Sequence, residues 1–116
     1  MGRGRGGLIG FARLALDPHQ QQGATIGFAL RPDAWGVGYG VETVRLLLEV
    51  GFDELGLHRI WGARSPRNPA SIKTMLTAGM REDYTIREHI QKAGRWRDSV
   101  VHTILSQEWQ PIQPVA

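Results

Sequence analysis

Along the chain, two short apolar runs are followed by a stretch with apolar residues at helical spacing and then by further short runs. Two apolar runs at 8–16 and 24–30, joined by a short polar segment, predict an antiparallel hairpin. Between 41 and 55 the apolar positions recur at helical spacing, which predicts an amphipathic helix closed by Gly56. The run 58–64 then predicts a strand. The order strand, loop, helix, strand indicates a parallel βαβ unit with a right-handed crossover.

A second helix is predicted over 69–78 from its end signals. Asn68 is a typical N-cap residue, Pro69 suits the first helical position, and Gly79 suits the C-terminal cap. The apolar positions expected to face inward are Ile72, Met75 and Leu76.

The remaining pattern predicts a long hairpin with arms at 80–90 and 96–105. The expected fold class is therefore α/β (α+β), with a mixed, mostly antiparallel sheet around the central βαβ unit. We expect a disordered lead-in at 1–7, one domain at 8–109 and a C-terminal tail at 110–116.

Composition narrows the function classes only slightly. The chain has 116 residues, a formal net charge of +3 and no cysteine, which excludes disulfides, thiolate zinc sites and a cysteine nucleophile. No apolar run approaches the roughly 20 residues of a membrane span, so a cytoplasmic protein is expected. Basic residues do not cluster with aromatic ones, so nucleic-acid binding is not expected. His89 and His102 could meet across the hairpin, but they lack acidic neighbours at ligand spacing and predict no metal site.

The segment 31–42 carries glycines at 36, 38 and 40 between a predicted strand and a predicted helix. Glycine lets main-chain N–H groups approach a ligand closely, and a helix N-terminus attracts anions, so this loop suits phosphate. Its spacing matches neither the dinucleotide G-x-G-x-x-G pattern nor a Walker A motif. Spacing alone therefore leaves two interpretations open: a tight turn and a phosphate-binding loop.

The ordered succession of 26–40, 55–60, 68–71, 79–80 and 94–98 resembles the GNAT superfamily of acetyl-CoA-dependent N-acetyltransferases. Within that superfamily it most resembles the RimJ/RimL branch, which acetylates the N-termini of ribosomal proteins. The resemblance covers about residues 8–109.

The resemblance implies acetyl-CoA as cosubstrate and no metal. The loop at 35–40, with the start of the helix, would hold the coenzyme A pyrophosphate through backbone amides, and pantetheine would insert between splayed strands at 28–30 and 60–63. A main-chain N–H near Leu30 would polarise the thioester carbonyl. The implied cofactor-binding residues are Phe28, Leu30, Trp35, Gly36, Val37, Gly38, Tyr39, Gly40, Val41, Asn68 and Ser71.

The same resemblance implies two catalytic residues. Ser71 matches a serine proposed to reprotonate the departing thiolate, whereas many other GNAT proteins place a tyrosine where this chain has Met75. Glu88 is the expected base or water-positioning residue, because an amine nucleophile must be neutral and many relatives have Glu where this chain has Thr25. In the RimJ/RimL branch the proposed base lies in the register of Ile90, and Glu88, two positions away along a strand, would face the same side. The alternative interpretation of Glu88 is a solvated edge residue. Ser71 and Asn68 also have a purely structural interpretation, as the start and cap of a helix.

The family normally begins with a strand and two helices that form one wall of the acceptor groove, and nothing before Leu8 matches them. The missing wall has two interpretations: a chain truncated at its N-terminus, or a second chain that contributes the wall. A sheet without its first strand also exposes an edge, which favours a homodimer or strand exchange. The expected function is transfer of an acetyl group to a primary amine of a protein N-terminus or small molecule by direct attack. The alternative is a non-catalytic CoA-binding or dimerisation module.

Overall fold

The hydrophobic pattern folds into five strands and two α-helices. A computed structural model describes residues 10–30 and 39–109. Its elements are β1 (Gly10–Leu16), β2 (Gly23–Leu30), α1 (Tyr39–Glu49), a π-helical turn (Val50–Glu54), β3 (Arg59–Arg64), α2 (Pro69–Thr77), β4 (Arg81–Lys92), β5 (Arg95–Leu105) and a 3₁₀ turn (Ser106–Glu108). The expected lead-in at 1–7 and tail at 110–116 lie outside the described residues.

The strands form one sheet in the order β1-β2-β3-β5-β4. β2 and β3 are parallel and are connected through α1, while the other three neighbouring pairs are antiparallel. This confirms the predicted fold class, a mixed and mostly antiparallel sheet around a βαβ unit. None of the helices within the described residues is long and apolar enough to cross a membrane.

Both helices cover the same face of the sheet. Alternate residues of β2 point into the core between sheet and helices, and α1 contributes a stripe at helical spacing. The buried cluster comprises Ala24, Ile26, Phe28, Val44, Leu48, Phe52, Leu57, Ile60, Met75, Ala78, Met80 and Ile104. Trp109 packs against this cluster from the C-terminal side, with the Arg45 guanidinium 4.8 Å from its ring centroid.

The prediction of one regular helix to residue 55 is wrong at its C-terminal end. Residues Val50–Glu54 form a π-helical turn, in which Leu55 N–H donates to the Val50 carbonyl at 3.0 Å. The wider turn shifts the helical phase, so that Leu55 is 55% exposed, while Leu57, after the glycine cap, is buried. Gly56 has a φ of +65°, which confirms the predicted glycine cap.

The inward face of α2 also differs from the prediction. Met75 is fully buried, but Leu76 is 49% exposed and Ile72 only partly buried. The buried positions of this helix, with its C-cap residue, are Ser71, Thr74, Met75 and Ala78. Two of these are polar, and this is why apolar periodicity assigned the wrong face.

The long hairpin extends further than predicted and closes through a tighter turn at Ala93 and Gly94, both with positive φ. His89 and His102, which the sequence allowed to meet across the hairpin, are not paired in it. His102 pairs with Glu82, and His89 Nδ1 lies 2.9 Å from Ser99 Oγ. A register shift between Ile86 and Ile90 interrupts the ladder on β4.

His102 should make the fold sensitive to acid. Its side chain has no exposed surface, neither ring nitrogen has a hydrogen-bond partner within the described residues, and burial lowers its pKa from 6.5 despite the opposing charge of Glu82. The unfolded chain therefore takes up this proton at a higher pH than the folded chain does. The resulting stability is present above pH 6.5 and is lost as pH falls towards the lowered pKa.

Urea unfolding measured between pH 7.5 and 5 tests this expectation. The loss of unfolding free energy on acidification should be smaller in His102→Leu than in the wild type. His19→Gln, at an exposed histidine in a turn, is the control and should keep the wild-type slope of unfolding free energy against pH. Equal slopes in the wild type and His102→Leu would contradict the assignment.

Candidate active site

The two parallel strands of the βαβ unit pair only at their beginnings. Their register contains three pairs, Gly23 with Arg59, Ala24 with Ile60 and Thr25 with Trp61. Both strands continue beyond the last pair, β2 to Leu30 and β3 to Arg64, and β3 stays paired with β5 on its other edge throughout. A wedge therefore opens between β2 and β3 towards their carboxyl ends, which agrees with the expected splay.

Arg64, the last residue of β3, spans this wedge. Its Nη2 donates to the Phe28 carbonyl of β2 at 3.0 Å, its Nη1 donates to the Ala63 carbonyl at 2.9 Å, and its Nε donates to Ser71 Oγ at 3.0 Å. The guanidinium carbon also lies 4.4 Å from the centroid of the Phe28 ring. One side chain thus joins β2, β3 and α2.

Ser71 lies in the first turn of α2 and is only 2% exposed. The N-cap residue Asn68 accepts a hydrogen bond from the Ser71 N–H through Oδ1 at 3.2 Å, which satisfies one of the unpaired donors at the helix start. The same cap fixes the backbone of Ser71. Its hydroxyl faces the guanidinium of Arg64.

The electrostatics of this cluster are unusual for an interior. Burial lowers the pKa of Arg64 below its ordinary value, but arginine stays charged at any physiological pH. Within the described residues its guanidinium contacts two neutral carbonyls, a hydroxyl and an aromatic face, with no carboxylate among them. The wedge therefore holds a positive charge that is solvated by the protein but not neutralised by a described acidic side chain.

The N-terminus of α1 forms the second part of the site. The helix begins at Tyr39, which is 44% exposed, followed by buried Gly40 and partly buried Val41. Helix N-terminal N–H groups and the helix dipole favour anions. The predicted loop residues Trp35, Gly36, Val37 and Gly38 lie outside the described residues, as does the side chain of Leu30.

Glu88 lies on β4, apart from the Arg64–Ser71 cluster. It is exposed, has a φ of +49°, and donates its backbone N–H to Asp98 Oδ1 at 2.9 Å. Because this conformation interrupts regular strand alternation, the period-two argument for its direction does not apply. Asp98 helps to line a surface depression of about 230 Å³ with Ser65, Pro66, Arg67, Trp96 and Arg97.

Among the predicted residues described, the structure brings Phe28, Asn68 and Ser71 into one connected cluster and leaves Glu88 outside it. The residue that sequence reasoning missed is Arg64. A signal existed, because Ile60, Gly62 and Arg64 share one face of a strand whose other inward residues are apolar or small. A charged side chain on the inward face of a strand needs hydrogen-bond partners, so Arg64 could have been chosen as a candidate.

Comparison with known proteins agrees with this geometry. The family model of the acetyltransferase (GNAT) domain matches residues 2–81. The chain is 36% identical over 84 residues to the uncharacterized N-acetyltransferase YnaD of Bacillus subtilis, a match over 72% of this chain and 49% of YnaD. It is 32% identical over 102 residues to the uncharacterized N-acetyltransferase p20 of Bacillus licheniformis, which covers 88% of this chain and 57% of p20. The chain therefore belongs to the GNAT family, and it spans about half the length of these curated relatives.

Solved structures show the same fold. A GNAT-family acetyltransferase from Bacillus anthracis superposes with a TM-score of 0.78 and 28% identity, over 86% of this chain and 60% of that one. RimJ from Mycobacterium smegmatis, solved in complex with CoA-disulfide, superposes with a TM-score of 0.79 and 24% identity, over 86% of this chain and 48% of RimJ.

Proposed function

We propose that this chain binds acetyl-CoA and transfers the acetyl group to a primary amine by direct attack on the thioester. The observation that carries the proposal is the wedge between β2 and β3, which begins after only three ladder pairs in a chain of the GNAT family.

The wedge suits the pantetheine arm of acetyl-CoA. Along this edge of β2, the Phe28 carbonyl takes a hydrogen bond from a side chain, Arg64, and not from the ladder with β3. With Arg64 in place, an extended pantetheine could offer its amide N–H groups to other carbonyls along this edge, as an added strand would. The N-terminus of α1 would attract the pyrophosphate, together with the glycine loop that precedes it.

The proposed chemistry assigns one role to each polar group. A backbone N–H near Leu30 would stabilise the charge on the thioester oxygen. Ser71 would protonate the departing sulfur, and its position in the first turn of α2, where it is only 2% exposed, supports this role. Glu88, connected through Asp98 to the depression beside the end of β3, would take the amine proton directly or through water.

A protein N-terminus is the acceptor that we propose to test first, supported by the resemblance to the RimJ/RimL branch. We also propose that the chain acts in the cytoplasm and forms a homodimer. The second point is supported by β1, which is an edge strand of the described sheet. Light scattering would give a monomer mass if the dimer proposal is wrong.

Calorimetry with acetyl-CoA, followed by detection of free thiol with two acceptors, tests the function. We expect binding, and thiol release with an alanine-initiated peptide or with a small diamine. Binding without thiol release for any primary amine would instead support the non-catalytic CoA-binding module. Absence of binding at millimolar acetyl-CoA would contradict both proposals.

The role of Glu88 is tested in the same assay by Glu88→Gln, with Glu82→Gln as the matched control on the same strand. If Glu88 is the base, its variant should lose the acid limb of the pH profile of kcat/KM, and the control should keep it. Unchanged profiles in both variants would remove Glu88 from the mechanism.

A further inference from the structure

Arg64 is a polar residue of the site that the proposed chemistry does not yet use. It lies on the inward face of β3, is half-buried, and within residues 10–30 and 39–109 donates its hydrogen bonds to uncharged acceptors. Holding a guanidinium in this way costs desolvation free energy, and aliphatic residues at such a position would avoid that cost. The arrangement therefore calls for an explanation beyond packing.

The contact with Ser71 has a specific geometry. A serine hydroxyl has one proton to donate and two lone pairs that accept. The Nε–H of Arg64 can only donate, so its 3.0 Å contact with Oγ uses one lone pair and leaves the hydroxyl proton for another acceptor. Bonds from Nη1 to Ala63 and from Nη2 to Phe28 hold the guanidinium plane, and Asn68 holds the Ser71 backbone. The guanidinium of Arg64 and the backbone of Ser71 are therefore each held by hydrogen bonds other than the one between them.

A positive charge beside Oγ also changes the chemistry of the hydroxyl. An adjacent cation stabilises negative charge on the oxygen and makes its proton easier to transfer. The effect is stronger in a site that excludes water than on a surface, and Ser71 is 2% exposed. Arg64 can therefore both orient the Ser71 proton and increase its acidity.

We propose that Arg64 is a positioning residue that prepares Ser71 to protonate the leaving thiolate. The inference rests on the proposed function. When the carbon–sulfur bond of the thioester breaks, the sulfur keeps the electron pair and receives the proton from Ser71 Oγ. The oxygen, stabilised by the guanidinium, recovers a proton from water, while the acetylated nitrogen releases its own proton to the base or to water.

A double-mutant cycle of Arg64→Gln, Ser71→Ala and both together tests the proposal, with kcat and the KM for acetyl-CoA measured by thiol release. Ser71→Ala should lower kcat by about 100-fold, the lower end expected for loss of a general acid. Arg64→Gln should lower kcat by about tenfold without raising KM. In the Ser71→Ala background the same change should alter kcat by less than about twofold, because Arg64 would act through the missing hydroxyl.

Two further variants separate positioning from general structure. Arg64→Lys keeps the charge but lacks the fixed fork, so its kcat should lie between those of the wild type and Arg64→Gln. Arg13→Gln, an exposed arginine on β1, is the matched control and should retain wild-type kcat. If Arg64→Gln does not fold, the cycle is run with Arg64→Lys.

The outcomes distinguish this inference from the proposed function. A wild-type chain that binds acetyl-CoA but releases no thiol overturns both. A wild-type chain that turns over, with Arg64→Gln lowering kcat equally in both backgrounds or acting only on KM, overturns the role of Arg64 alone.

Discussion

Replacing Met75 with alanine should lower the free energy of unfolding by about 2–5 kcal/mol, the range measured when large buried side chains are truncated. Met75 has no exposed surface and belongs to the cluster between sheet and helices. Its sulfur lies 3.3 Å from the position that a Cβ on Gly62 would occupy, so it packs directly over β3. Truncation would leave a cavity between α2 and the sheet. The total free energy of unfolding of an ordinary domain is about 5–15 kcal/mol, so this loss would be a large fraction of it.

The neighbouring residue provides a matched control. Leu76→Ala removes a similar number of atoms from the same helix, but Leu76 is 49% exposed, so we expect a change within about 0.5 kcal/mol. Both substitutions replace a good helix former with alanine, so helix propensity does not separate them. Urea unfolding with a shared m-value measures the difference. Similar losses in the two variants would contradict the observed orientation of α2.

Local signals were enough to predict the order and type of the elements. The Asn68–Pro69 pair and the glycines at 56 and 79 mark helix ends through backbone chemistry that acts over a few residues. A strand, a helix and a second strand that follow one another can be connected within one sheet in only a few ways. The parallel βαβ unit was therefore also predictable from the order of the elements. Family resemblance added the expected splay of β2 from β3.

Features that depend on tertiary packing were not predictable in this way. The π-helical turn at Val50–Glu54 leaves Leu55 exposed, and no local pattern distinguishes this turn from an α-helical end. Leu76 was expected inside because apolar residues are expected to be buried, whereas the buried stripe of α2 includes Ser71 and Thr74. Those polar residues are buried because Arg64 and the helix backbone satisfy their hydroxyl groups.

The position of Arg64 illustrates the same limit at the site. The residues around Arg64 in the sequence predicted only the end of a strand. In the structure its three hydrogen bonds go to residues 28, 63 and 71. Two of those partners are distant in sequence or on another element, so only the folded sheet brings them within reach. The sequence predicted Ser71 as a site residue but could not indicate what orients it.

Gly38→Val should weaken acetyl-CoA binding by about 100-fold, equivalent to about 2.7 kcal/mol. The glycine directly precedes α1, whose N-terminus begins at Tyr39, and phosphate would be bound there by backbone N–H groups. A branched side chain at this point would obstruct close approach of the pyrophosphate and restrict the backbone. Calorimetry gives the affinity, and thermal unfolding followed by circular dichroism checks that the variant is folded.

Gly56→Ala is the matched control near the other end of the same helical segment. Its φ of +65° makes alanine strained there, although no atom lies within 4 Å of the added Cβ, so the variant should lose about 1 kcal/mol of stability. Its affinity for acetyl-CoA should nevertheless equal that of the wild type. The two glycine variants thus separate a loss of stability from a loss of binding. If Gly38→Val also kept wild-type affinity, the glycines before α1 would serve only to make a tight turn, and the pyrophosphate would have to be bound elsewhere.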